Sequence, residues 1–446
     1  MNDRPMRPPW ARPWRRAIAV PGGLLLLAAL GAAALLWLDR LPAPATPTPP
    51  RAGAASAAEI ERGRVLALAG NCAGCHTARG GAAYAGGRAL HTPFGTVFAG
   101  NLTPDPATGL GRWTSDDFWR ALHLGRGRDG RRLVPAFPYT ETTRITRADS
   151  DALHAWLRTL PAVVQRNRPH ELRWPYGTPL ALAAWRLLFF APGEWQDDPG
   201  QTAEWNRGAY LVNGAGHCVA CHGGRNALGA TADPGFGGGL IPARNWYAPA
   251  FTRAGEASVA DWPLDEIVAL LRDGAAPRGR AIGPMAEVVQ RSTQHLPPAE
   301  LRAMAVYLKS LPVEPAEPAR SADPPDPARL AAGAKLYETH CADCHGAQGE
   351  GGALADGPER GRLVVPALAG NRTVTMDPPA NLVRATALGG FGAATAGRPR
   401  PFGMPPYAHV LSDTQIADIL TWLRRREGAS ALSAFDVARW RGGSDD

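Results

Sequence analysis

The chain carries Cys72-Ala-Gly-Cys75-His76, Cys218-Val-Ala-Cys221-His222 and Cys341-Ala-Asp-Cys344-His345, one five-residue pattern written three times. Each copy reads Cys-x-x-Cys-His, the spacing at which two thiols reach the two vinyl groups of one porphyrin. The adjacent His then falls where its imidazole becomes the first axial ligand of the iron. The three copies use all six cysteines of the 446 residues. A redox dithiol or half a zinc site also contains Cys-x-x-Cys. Neither needs the following His, and a four-cysteine zinc site would not place its pairs 146 and 123 residues apart. The reading is three covalently bound haems of the c type (three haem c).

Aligning the chain on these motifs exposes a repeat. Ahead of each comes a helical stretch with a glycine: Glu61-Arg-Gly63-Arg-Val-Leu66, Asn206-Arg-Gly208-Ala-Tyr-Leu211 and Ala331-Ala-Gly333-Ala-Lys-Leu-Tyr337. Behind each comes an amphipathic helix with an aromatic-Leu pair: 151–160 with Trp156-Leu157, 299–311 with Tyr307-Leu308, and 412–424 with Trp422-Leu423. Their starts are signalled at Ser150-Asp151, Pro297-Pro298 and Ser412-Asp413. The glycine permits a close helix crossing that the aromatic fills, as in the helix pair of the cytochrome c fold. The expected fold is mainly α, three tandem class I cytochrome c domains behind an N-terminal transmembrane helix.

The N-terminus supplies that helix. Five arginines precede Ala17 to Leu38, 22 residues without a charge, roughly 33 Å as a helix and enough to span a bilayer. A cleaved signal peptide is the competing reading, but the nearest downstream small-x-small stretch is Ala55-Ser56-Ala57. With either reading the arginines stay in the cytoplasm and the haem domains face the periplasm from the bacterial inner membrane. Formal charge is +8, and residues 1–40 carry half of it. No basic stripe remains that would support nucleic-acid binding.

The expected organisation is 1–40 anchor (or signal), 41–57 Pro/Ala-rich tether, 58–163 domain one, 164–202 interdomain segment, 203–312 domain two, 313–327 Pro-rich linker and 328–446 domain three. Within 164–202, Pro179 to Phe190 reads as an apolar helix too short to span a membrane. It packs between domains or touches a membrane surface or partner.

A sixth ligand from a Met thioether raises a haem's potential. Met285, 63 residues after His222, and Met404, 59 residues after His345, lie on Gly/Pro-rich loops suited to this role. Met304 reads as core, and Met376 comes too early. Unit one has Phe137 at the matching place, in Val134-Pro-Ala-Phe-Pro-Tyr139. Its iron is therefore open or takes another ligand, with His91 and His123 as candidates and His154 more suited to packing. An open haem raises the alternative of a peroxidase-like enzyme, for which Arg126 and Arg128 would be the charge stabilisers.

Several longer strings carry a resemblance: Thr92-Pro-Phe-Gly-Thr96, Asn101-Leu-Thr-Pro-Asp105, Thr108-Gly-Leu-Gly-Arg-Trp113, Gly283-Pro-Met-Ala-Glu-Val-Val289 and Leu411-Ser-Asp413. From about Glu59 to Arg441 the chain resembles the membrane-associated triple-haem cytochrome c subunits of periplasmic alcohol, aldehyde and gluconate-type dehydrogenases. Phe137 departs from the Met usual there and looks like the form in cytochromes paired with molybdenum hydroxylases. The resemblance implies a non-catalytic electron-transfer subunit. A separate quinoprotein, flavoprotein or molybdenum dehydrogenase subunit would reduce it, and membrane ubiquinone or a terminal oxidase would receive the electrons.

Overall fold

A computed structural model of the chain describes residues 29–37, 39, 55–241, 243–314, 326–353 and 363–443. In chain order its principal helices are α1 (Ala57–Ala69), α2 (Arg147–Leu157), α3 (Pro179–Phe189), α4 (Ala203–Tyr210), α5 (Pro284–Arg291), α6 (Pro298–Lys309), α7 (Pro327–His340) and α8 (Asp413–Arg426). The expected span 17–38 falls largely outside the described residues, of which 29–37 are helical. Among the described residues no helix is long and apolar enough to cross a membrane.

Three crossings form the frame: α1 on α2, α4 on α6 and α7 on α8. Each depends on the glycine read from the sequence. A Cβ on Gly63 would stand 2.9 Å from Trp156 Cβ, one on Gly208 3.0 Å from Tyr307 Cβ, and one on Gly333 3.1 Å from Trp422 Cβ. The backbones of Ala152, Ala303 and Asp418 press on the same glycines more closely still. With the helix axes this near, each aromatic finds a ring partner. Tyr84 meets Trp156 at 5.3 Å, Trp205 meets Tyr307 at 5.1 Å and Tyr337 meets Trp422 at 4.7 Å between centroids.

Helix starts follow capping chemistry, with one shift from expectation. The third closing helix begins at the box Ser412/Gln415, as its sequence signals. The first begins at Arg147 instead of 151, because Thr146 Oγ1 accepts from Asp149 N (3.3 Å). Ser150, the expected start, is wholly buried inside the helix. It ends at Leu157 instead of 160, in the turn before Pro161.

Units one and two share one hydrophobic core. Leu66, Ile145 and Leu157 pack in the same cluster as Leu211, Val212, Leu301 and Met304. Tyr210 ties the two together, its hydroxyl donating to Asp149 Oδ2 at 2.6 Å in the interior. Unit three has its own core around Ile416, Ile419 and Leu420, into which Tyr247 of unit two inserts. Asn381 holds Tyr247 by paired hydrogen bonds, accepting from its N–H (2.9 Å) and donating to its carbonyl (2.8 Å).

The segment 164–202 is less a linker than a strap. Glu171-Leu172 adds a strand to the antiparallel hairpin Ala89–Thr92/Gly95–Phe98, and α3 then lies across both units. Its Ala183 and Arg186 are buried, and Trp185 Nε1 donates to Leu228 O of unit two at 2.8 Å.

Gly63→Ala, Gly208→Ala and Gly333→Ala should each lower stability by about 1–3 kcal/mol, the range for forcing a methyl into a packed contact. Denaturant titration measures this as a lower midpoint. Unchanged midpoints in all three variants would show that the crossings are loose.

Candidate haem-attachment sites

Each Cys-x-x-Cys-His forms a short helical turn, Cys72–His76, Val219–His222 and Ala342–His345, directly after the glycine-bearing helix of its unit. The three histidines share one hydrogen-bond geometry. His76 Nδ1 lies 2.7 Å from Gly100 O, His222 Nδ1 2.7 Å from Pro249 O, and His345 Nδ1 3.0 Å from Pro366 O. A carbonyl only accepts, so each Nδ1 carries the proton and Nε2 keeps its lone pair. That is the tautomer a metal-ligating imidazole needs. Burial holds all three below the ordinary histidine pKa, His222 at about 4, so the rings are neutral near pH 7.

The first thiol of each pair is the more enclosed. Burial pushes Cys72 and Cys218 up to about 12 and Cys341 up to about 11. In unit three, Cys341, Cys344, His345 and Met404 line one cavity of about 540 Å³, to whose wall Trp262 and Gly279 of unit two also contribute. This donor set fits haem c: two thiols, an imidazole lone pair and a thioether line the same cavity.

Motifs one and two are clamped together. Arg88 donates to Gly74 O, inside the first motif, and forms a two-pronged ion pair with Glu287 (2.5 and 3.1 Å). Met285, expected on a loop, lies at the start of α5, and Glu287 stands two residues beyond it on the same helix, so the first motif is tied to the helix carrying a candidate ligand of the second. Ser292 Oγ adds a bond to Leu68 O at 2.5 Å. Neither contact was legible in sequence, because the partners are 199 and 224 residues apart. A further contact comes from His217, just ahead of the second motif, whose Nε2 meets Gly70 O at 3.1 Å. It follows a π-helical turn, Leu211–Ala215, that rests on unit one.

The expected sixth ligands fall as follows. Met285 is half-buried at the start of α5, against Ala286, Val289 and Ala393. Met404 is half-buried in the cavity of His345, while Met304 and Met376 are core residues. Phe137 is half-buried and packs on the core shared by units one and two. His91 lies exposed in the hairpin, Nδ1 3.1 Å from Thr96 Oγ1. His123 is stacked on Trp119 (4.2 Å) and held by Thr143 O at 2.7 Å. His154 packs on Phe118, and burial lowers it to about 4. The two arginines that a peroxidase-like reading needs are engaged elsewhere, Arg126 with Asp39 (2.7 Å) and Arg128 with Asp117 (3.5 Å).

The family model "Cytochrome c" matches residues 60–161 and 330–427. The cytochrome c subunit of a quinone alcohol dehydrogenase from Gluconacetobacter polyoxogenes is 36% identical over 87% of this chain and 85% of its own length. The gluconate 2-dehydrogenase cytochrome c subunit of Pantoea cypripedii is 32% identical over 87% of this chain and 90% of its own. This chain belongs to the cytochrome c subunits of dehydrogenases. A nicotinate dehydrogenase subunit from Pseudomonas putida is 42% identical over 93% of the chain, which spans only 34% of that longer protein. Haem c is the cofactor of the cytochrome c family.

In this cytochrome subunit Arg88→Ala should cost on the order of 1–2 kcal/mol, reflecting a part-buried charged pair discounted for its exposure. Arg88→Lys should recover less than half of that loss, because an ammonium lacks the fork that meets Glu287 and Gly74 together. Thermal melts of the holoprotein measure both. Full recovery by Lys would show that charge alone matters.

Proposed function

We propose that this chain is a three-haem wire: the electron-transfer subunit of a membrane dehydrogenase, built from three tandem class I cytochrome c domains. The observation that carries the reading is the threefold Nδ1–carbonyl bond, which presents an Nε2 lone pair beside each thiol pair. Cys72/Cys75, Cys218/Cys221 and Cys341/Cys344 would hold the haems. His76, His222 and His345 would be the proximal ligands, with Met285 and Met404 as sixth ligands in units two and three. When bound, haem c supplies the one-electron couple. The protein holds the imidazoles neutral and oriented, encloses the first thiols, and fixes the spacing of the units through the shared core.

Electrons would come from a separate catalytic subunit, as the names of the related alcohol, gluconate and nicotinate dehydrogenases suggest. Whether that subunit is a quinoprotein, a flavoprotein or a molybdenum enzyme does not bear on the wire. The acceptor would be membrane ubiquinone or a terminal oxidase. The apolar run 17–38 supports an inner-membrane anchor with the haem units on the periplasmic side.

Unit one differs in kind. With Phe137 in place of a thioether, its haem would be five-coordinate or ligated by a histidine that has to leave its present contacts. If unit one's haem is five-coordinate, carbon monoxide should bind one haem of the reduced protein and leave the other two unchanged. Binding at none would assign unit one a strong sixth ligand.

Maturation in a host with the haem-attachment machinery should yield three haems per chain by alkaline pyridine spectroscopy. Two would remove one unit from the wire. Met404→Ala should lower the midpoint potential of one haem and abolish its sulfur-to-iron charge-transfer band, leaving the other titration waves in place. A variant with all three potentials unaltered would exclude Met404 as a ligand.

A further inference from the structure

Asp39 directly follows the apolar run 17–38, yet it is only 3% exposed. Its carboxylate is shared by three arginines of the folded body. Arg126 Nη2 reaches Oδ2 at 2.7 Å, Arg132 Nε reaches the same oxygen, and Arg186 Nε reaches Oδ1 at 2.9 Å. Arg126 donates to the Asp39 carbonyl as well. Arg186, on α3, is 1% exposed, its guanidinium 5.3 Å from the Tyr139 ring and 4.7 Å from that of Phe190. Among the described ion pairs, Asp39 is the carboxylate that each of the three meets. Cleavage anywhere after residue 39, including at Ala55-Ser56-Ala57, would leave three enclosed guanidinium groups facing one another without a counter-charge. Such a charge cluster is strongly unfavourable.

The helix that Asp39 grips has an unusual outer face. Arg186 is the sole charged residue of α3 and points inward. Leu180, Leu187 and Leu188 point outward, Leu188 being 68% exposed, and Trp174 just ahead of the helix is 86% exposed. An exposed apolar face with a neighbouring exposed Trp suits the membrane interface, where apolar side chains enter the acyl boundary and Trp sits at headgroup level. One carboxylate joins the end of a bilayer-length apolar run to the inner side of α3, so the outer face of the same helix lies within a helix diameter, ~10 Å, of the point where the run would leave the membrane.

We propose that Asp39 locks a retained N-terminal anchor onto the haem-bearing body, and that the outer face of α3 rests in the interfacial layer of the same bilayer. The proposal builds on the anchored reading given above. It commits the face to lipid and not to the dehydrogenase subunit.

The test uses the full haem-loaded chain in vesicles of phosphatidylethanolamine and phosphatidylglycerol. Photo-crosslinking with p-benzoylphenylalanine in place of Leu188 should give phospholipid adducts by mass spectrometry. The same probe in place of Phe435, an exposed apolar position of unit three, should give none. Asp39→Ala should keep the chain in the vesicles after an alkaline wash but lose the adduct at 188, and Asp39→Glu should retain it. Leu188→Glu lies outside the ion cluster, so it should preserve the haem spectrum while α3 amides lose their vesicle-dependent protection from hydrogen exchange. No lipid adduct at 188, a protein adduct there on adding the dehydrogenase partner, or an adduct indifferent to Asp39→Ala would overturn the proposal. A mature protein whose intact mass lacks residues 1–39 would overturn the retained anchor alone, leaving the electron-transfer reading standing.

Discussion

A bare glycine backbone pressed against the turn that carries an aromatic is the contact on which this molecule is built. At Gly63, Gly208 and Gly333 the approach leaves no space for even one carbon. Close approach brings Trp156, Tyr307 and Trp422 against the entry helix, and each meets another ring. Each crossing also sets the direction in which the chain leaves the entry helix, and the Cys-x-x-Cys-His turn follows within a few residues. The helix pair therefore aims the thiols and the imidazole, and the backbone carbonyl across from each His fixes the ring's tautomer. Local sequence and tertiary geometry act together here, so three copies separated by more than a hundred residues reach the same arrangement.

The repeats are not interchangeable beads. Units one and two are fused through Tyr210 and the turn after it, whereas unit three meets unit two through Tyr247 and Asn381. Electron transfer between cofactors needs fixed spacing, and a shared core supplies it more firmly than a tether. Arg88 extends the same rigidity to the site itself, since it links Gly74 inside one motif to Glu287 on the helix that carries the next unit's candidate thioether. A displacement of α5 would thus be felt at both motifs. Rigid packing of this kind keeps reorganisation small, which is what a carrier of single electrons requires.

What could be read in advance was whatever chemistry writes into a short span. The motifs, their glycines and aromatics, and the Ser412 cap are all local patterns, and their recurrence in register separated them from chance. The start of α2 escaped because Thr146 and Ser150 are both acceptable caps; burial of Ser150 within the helix decided between them, and burial is a tertiary property. The fused core escaped for the same reason. The turn 211–215 is an apolar stretch like many others, and only its contact with unit one gives it a role. Asp39 looked like a charge ending an apolar run. Its three partners lie at 126, 132 and 186; Arg126 drew notice for a different role, and Arg132 and Arg186 do not stand out among the arginines of so arginine-rich a chain.

The asymmetry at Phe137 also has a packing origin. In units two and three the candidate thioethers sit outside the main cores, Met285 in a small cluster with Ala393 and Met404 in a cavity wall. The matching residue of unit one instead packs on the large core that units one and two share. A side chain in that position serves two units at once, and an aromatic ring buries more apolar surface than a thioether while keeping two rotatable bonds instead of three. Fusing the units thus favours a residue that packs over one that ligates. The expected unit-one ligand position is therefore occupied by a residue that packs on the shared core.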